Sequence, residues 1–165
     1  MEYERRRYQD KFQLMNKSEK LLFDRLREAA PALLVFSQVS MSQLFHITNY
    51  KKNGFLQVGE IGRKSVDFLL CRPDDTSIVL AIELNGPTHE QEEQKIGDAK
   101  KQTALEEAGI PLVIFTPNNI PSVDELRKIL APRIIERRKY EATKKEKIQQ
   151  ANSKKKTNQL TPKPV

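Results

Sequence analysis

Three acidic residues stand where the hydropathy pattern asks for apolar ones. Asp67 interrupts the run SVDFLLC, and Glu83 interrupts IVLAIEL. Glu19 falls, at about 100° per residue, within the arc of Leu22, Phe23, Leu26 and Ala30, on the core face of a helix. An unpaired buried carboxylate costs several kcal/mol, so each must be paired, protonated or bound to a cation. Asp67 and Glu83 on neighbouring strands, with Glu19 reaching in from a packed helix, would make an oxygen-rich pocket. Such a pocket suits a hard divalent ion, magnesium first and manganese as the alternative. For Glu19 the plainer reading is a helix-dipole partner near its own N-terminus.

A second group of polar residues lies further along. Asp98, Lys101, Leu105 and Ala108 follow the 3, 4, 3 spacing of one helix face, and Gln102 is one turn from Asp98. Polar groups therefore share a face with apolar ones, although a surface helix carrying an ion pair gives the same spacing. His89, after NGPT, would meet a substrate from a loop or stand in solvent. Cys71 is the only cysteine, so no disulfide framework or cysteine-based zinc cluster can form. His46 and His89 are too far apart for a local metal motif, which leaves carboxylates as the metal ligands.

The elements that must hold these residues follow from periodicity. NKSEKLLFDRLREAAP reads as a helix capped by Asn16 or Ser18 and closed by Pro31. ALLVFSQVS, KSVDFLLC, SIVLAIEL and IPLVIFT read as strands, and the middle two are apolar on both faces, which makes them central in a covered sheet. Residues 90 to 108 read as a helix ended by Gly109. A last helix covers residues 121 to 147, with Ser122 as cap and Glu125 in a capping box; Pro132 is expected to kink or break it, and disorder is expected beyond about residue 148. The pattern is a mixed α/β layer structure.

Length and charge set limits. The 165 residues make one domain with appendages: a charged arm (1–16), a domain (17–136) and a basic, largely disordered tail (137–165). That tail holds ten Lys or Arg against two Glu, leaving a nearly neutral body under a formal net charge of +7. A basic tail attaches to phosphate backbones, through Arg137, Arg138, Lys139, Lys144 and Lys145, or else merely solubilises. No apolar run is long enough to span a membrane, and the N-terminus lacks a secretory signal, so no membrane partner and a cytoplasmic location are expected.

NKSEKLLFDRL, KSVDFLLC, LAIELNG and GDAKKQTALEEAGIPLVIF, in this order, resemble the PD-(D/E)XK nuclease superfamily over residues 16 to 118. The likeness is to its small bacterial branch, similar to very short patch repair endonucleases and to domains with a VDF…AIELD core. The resemblance implies a restriction-endonuclease-like core: a four-stranded mixed sheet with helices on both faces in α-β-β-β-α-β order, plus a C-terminal helix. It also implies metal-dependent phosphodiester hydrolysis of nucleic acid, DNA first, with Asp67, Glu83 and Glu19 around magnesium.

The superfamily places Lys two residues after the Glu, where this chain has Asn85; Lys101 from the next helix would take its place, with Asn85 orienting water or phosphate. Gln38 resembles a polar position facing the same site, beside His89, Asp98 and Gln102 as accessory groups. Cleavage of both strands would favour a homodimer. A nuclease-like module that binds nucleic acid without cutting it, and a protein-interaction domain, are the alternative readings.

Overall fold

Asn16 begins the first helix, α1 (Lys17–Ala29), by accepting the Glu19 N–H while the Glu19 carboxylate accepts the Asn16 N–H, a reciprocal cap that satisfies two of the helix's free donors. The computed structural model describes residues 11–46, 61–85 and 92–159. After α1 come strands β1 (Leu34–Ser40), β2 (Ser65–Cys71) and β3 (Ile78–Leu84), helix α2 (Glu92–Glu107), strand β4 (Leu112–Phe115) and helix α3 (Val123–Gln159). One sheet runs β1-β2-β3-β4; its first two pairings are antiparallel and β3 with β4 is parallel. The chain is thus α/β with an open, mixed, four-stranded sheet, and β2 and β3 are its central strands.

Both faces of the sheet are covered. On one, Leu22 and Leu26 of α1 and Leu126 and Leu130 of α3 pack on Phe68, Leu70, Leu80 and Ile82. On the other, Leu105 of α2 and Met41 pack on Val66, Leu69, Cys71 and Ala81. Each fully buried Leu or Phe contributes about 1.5–3 kcal/mol against its exposed state, so the two layers clamp β2 and β3 firmly. Cys71 lies inside this packing, and burial pushes its thiol pKa up.

The C-terminal part corrects the sequence expectation. Pro132 sits inside α3 without ending it, and the helix runs on through residue 147, as its sequence suggests, and past 148, beyond which disorder is expected, to Gln159. Two anchors flank the proline. Leu126 and Leu130 are buried before it; after it, Arg137 donates to the carbonyls of Ile78, Ala108 and Gly109 and pairs with Glu141 at 3.1 Å, while Arg72 meets Glu141 at 2.5 Å. Tyr140 lies against Gly109, which ends the α2 turn at φ 64. The tail itself is rich in Lys, Arg and Gln, which are good helix formers.

Among the described residues no helix is long and apolar enough to cross a membrane.

Candidate active site

The central strands part at Asp67. The β2–β3 ladder runs from Cys71–Ile78 to Phe68–Ile82; in the next place the Asp67 Oδ2 accepts the N–H of Leu84 at 2.7 Å. A side chain can take a neighbouring strand's N–H only if it lies near the plane of the sheet, and the alternation shows how it gets there. Val66 and Phe68, two residues apart, join opposite faces of the sheet, so β2 slips by one at Asp67. Opposite it, Val35 and Val39 of β1 also pack on opposite faces, and between them Gln38 has φ 52. Register is the same on both sides of this point, from Ser37–Phe68 to Val39–Val66, so the two strands slip together. A left-handed Gln costs about 1–2 kcal/mol. Its amide is well used: Gln38 Nε2 donates to Asp67 Oδ1 and Ser65 Oγ donates to Gln38 Oε1, both at 3.2 Å.

Glu83 stands on the face of β3 that carries Ala81, the face covered by α2. It is buried, with 4% of its surface exposed. Lys101 of α2 brings its Nζ to 2.8 Å from Glu83 Oε1 and donates to the Ser65 carbonyl at 3.1 Å. Oε1 is buried and meets the Lys101 ammonium as an ion pair. Burial pushes the Glu83 pKa above the usual carboxylate value; the Lys101 ammonium opposes this, and the charges of Asp67 and Asp98 add to it. Asp67, Glu83, Lys101 and Gln38, all anticipated, are joined with Ser65 through these contacts.

Other expected site residues lie elsewhere. The Glu19 carboxylate belongs to the α1 cap, which corrects its assignment as a metal ligand; among the described residues no three His, Cys, Asp or Glu side chains gather as a metal group. Asp98 is half exposed and pairs loosely with Lys64 at 3.9 Å, at the margin of the site. Gln102 donates to Glu106 instead of reaching the sheet. Asn85 is exposed, its N–H bonded to the Phe115 carbonyl just past the end of β3. His89 lies outside the described residues. Arg137, expected to meet phosphate, is spent on three carbonyls and Glu141, whereas Arg138, Lys139, Lys144 and Lys145 are exposed. Ser65 escaped the sequence reading, although its place two residues before Asp67 was a usable signal. A groove of 710 Å³ between α1 and β1, lined by Phe23, Pro31, Leu33 and Phe36, holds none of the carboxylate-site residues.

With sheet and site in view, the chain can be set beside known proteins. Residues 11–134 match the family described as Protein of unknown function (DUF2726), and the chain belongs to that family. An uncharacterised protein of Haemophilus influenzae is 34% identical over 109 residues, which cover 64% of this chain and 54% of that protein. The chain thus spans about half the length of this curated relative. No solved structure matches it.

Proposed function

We propose that the protein is a metal-dependent phosphodiesterase with a restriction-endonuclease-like core, acting on nucleic acid, with DNA as the first candidate. The observation that carries this reading is the Glu83 carboxylate, buried against Lys101 beside the point where Asp67 opens the central strands. Nothing in the packing of the sheet requires a carboxylate there, and its burial costs stability.

The residues present fit magnesium or manganese through two carboxylates. Magnesium is commonly held by one or two carboxylates, with water and substrate phosphate completing its shell. Asp67 keeps lone pairs beyond the two hydrogen bonds it accepts, and Glu83 Oε1 keeps lone pairs beyond its contact with Lys101. When bound, such an ion acidifies a coordinated water and offsets charge on the phosphate. Gln38 and the Leu84 N–H fix the Asp67 carboxylate, so it need not reorganise when a ligand arrives. Lys101 supplies a positioned cation beside Glu83, able to neutralise charge developing on a phosphoryl oxygen. Exposed Asn85 has an amide to orient water or phosphate, but no charge.

A second reading is favoured by that same pairing: Lys101 already neutralises Glu83, as in a nuclease-like module that binds without cutting. A protein-interaction domain would lack both activities. The test incubates protein and its Asp67→Ala variant with labelled single- and double-stranded DNA and RNA, in magnesium, manganese or EDTA. Metal-dependent cleavage lost in the variant is expected. Salt-sensitive binding by both proteins with no cleavage would favour the silent module, and no binding at all would leave the interaction domain.

A further inference from the structure

The basic helix and the carboxylate site lie at opposite ends of the sheet. β3 begins at Ile78, whose carbonyl accepts from Arg137, and reaches the site at Glu83. α3 starts at the site end, where Arg25 ties the Ile120 and Pro121 carbonyls, and runs back past Ile78. Beyond Glu141 it leaves the body: residues 142 to 153 are all exposed. The five strand steps from Ile78 to Glu83 cover about 16 Å. Residues 144 to 156 lie a further ~10 to ~28 Å along the helix, a path of roughly 25–45 Å from Glu83 counted along strand and then helix, with α3 covering the sheet face opposite the one that carries Glu83.

Resting on the phosphodiesterase reading, we infer that the overhanging part of α3 is a second contact for the backbone of the same nucleic-acid duplex. It grips the duplex about 8–13 base pairs from the bond presented to Asp67 and Glu83, at ~3.4 Å per base pair. Its composition selects this partner. Residues 142–159 carry Lys144, Lys145, Lys147, Lys154, Lys155 and Lys156 against one acid, Glu146. Ile148 is the one large apolar residue in this stretch, so it lacks the i, i+3, i+4, i+7 stripe a protein groove requires and the apolar face a lipid interface requires. Phosphate charge along its lysines would offset their mutual repulsion. The joint is stiff: Arg137, Tyr140 and Glu141 hold α3 to Ile78, Gly109 and Arg72. A fixed helix sets a fixed distance, which a disordered tail would not.

The test measures anisotropy of labelled duplexes of about 8, 12, 16 and 24 base pairs, in calcium. It compares the full chain with a full-length variant in which the six lysines are replaced (Lys→Gln at 144, 145, 147, 154, 155 and 156). After correction for the number of sites per duplex, wild-type affinity should step up at least about tenfold between the shortest and longest duplexes. The variant should lose that step and show a shallower salt dependence. Equal binding by both proteins at every length would overturn the inference, as would an equal loss at every length, which would mean a helix acting alone. Lysine-dependent binding to phosphatidylserine vesicles without any effect on duplexes would also overturn it, assigning the helix to a lipid surface. Cleavage of the longest duplex in manganese is followed in parallel. A lysine-dependent step without cleavage defeats the catalytic reading and leaves the second contact standing; cleavage without a step does the reverse.

Discussion

Gln38 and Asp67 face each other across β1 and β2 at the one register position where both strands change phase, and the Gln38 amide donates to Asp67 Oδ1 from a left-handed backbone. Strain of this kind persists where the surroundings over-determine it, often at sites of function. Gly adopts φ 52 freely and Ala does not. Gln38→Gly should therefore be more stable than Gln38→Ala by about 1 kcal/mol in urea unfolding, while both lose the amide and should cut equally poorly if the site is catalytic. Equal stability of the two variants would refute a strained Gln38.

Glu83 should impose a stability loss with rising pH. Its folded pKa is raised, chiefly by burial, so the folded chain keeps this proton to a higher pH than the unfolded chain does. Starting at the ordinary glutamate value, about 4.3, the folded state holds more protons than the unfolded one, and stability falls until pH passes the raised value. Glu125 and Asp75, whose pKa values are lowered by hydrogen bonds from Ser122 and Ser77, act in the opposite direction and lose stability as pH falls. Comparing wild type with Glu83→Gln cancels those two contributions. The difference between the two unfolding curves should grow from about pH 4.3 upward and then level; a difference independent of pH would show that Glu83 is not perturbed.

Where Asp67, Glu83 and Lys101 would meet was legible because each breaks a pattern: a carboxylate inside an apolar strand, or a Lys on the face that carries Leu105. Glu19 breaks a pattern too, yet the first turn of a helix has free N–H groups, and these outcompete a distant pocket for its carboxylate. The Asn16-x-x-Glu19 spacing of a cap was present in the sequence. Gln38 offered no such signal for its backbone, since Gln is not a residue that seeks the left-handed region; the phase slip exists only once β1 and β2 are paired. For α3 the proline and the polar composition pointed to a break and to disorder. Leu126 and Leu130 on one side of Pro132, and Arg137 and Tyr140 on the other, are long-range contacts that local composition cannot display.

Gly109 is expected to be intolerant for two separable reasons. Its φ is 64, and a Cβ there would overlap the Tyr140 ring more closely than real contacts allow. Gly109→Ala should cost about 1–2 kcal/mol from backbone strain, plus the displacement of Tyr140. In a double-mutant cycle, Tyr140→Ala should cost less in the Gly109→Ala background than in wild type, with a coupling of at least about 0.5 kcal/mol. Additive losses would mean that the ring moves aside freely and that strain alone accounts for the effect.

Lys101 and a divalent ion should compete to neutralise the same carboxylate. Lys101→Met keeps an unbranched chain of similar length but removes the ammonium 2.8 Å from Glu83 Oε1. It leaves a buried charge uncompensated, a loss of about 3–5 kcal/mol where the charge is retained. Manganese should then raise the melting temperature of Lys101→Met more than that of wild type, because the ion replaces the missing positive charge. Adding Asp67→Asn should reduce that rescue, since the ion would lose its other carboxylate. A manganese effect of the same size in wild type, Lys101→Met and the double variant would place any bound ion away from Glu83, and the carboxylate pair would have to be read as a buried ion-pair site alone.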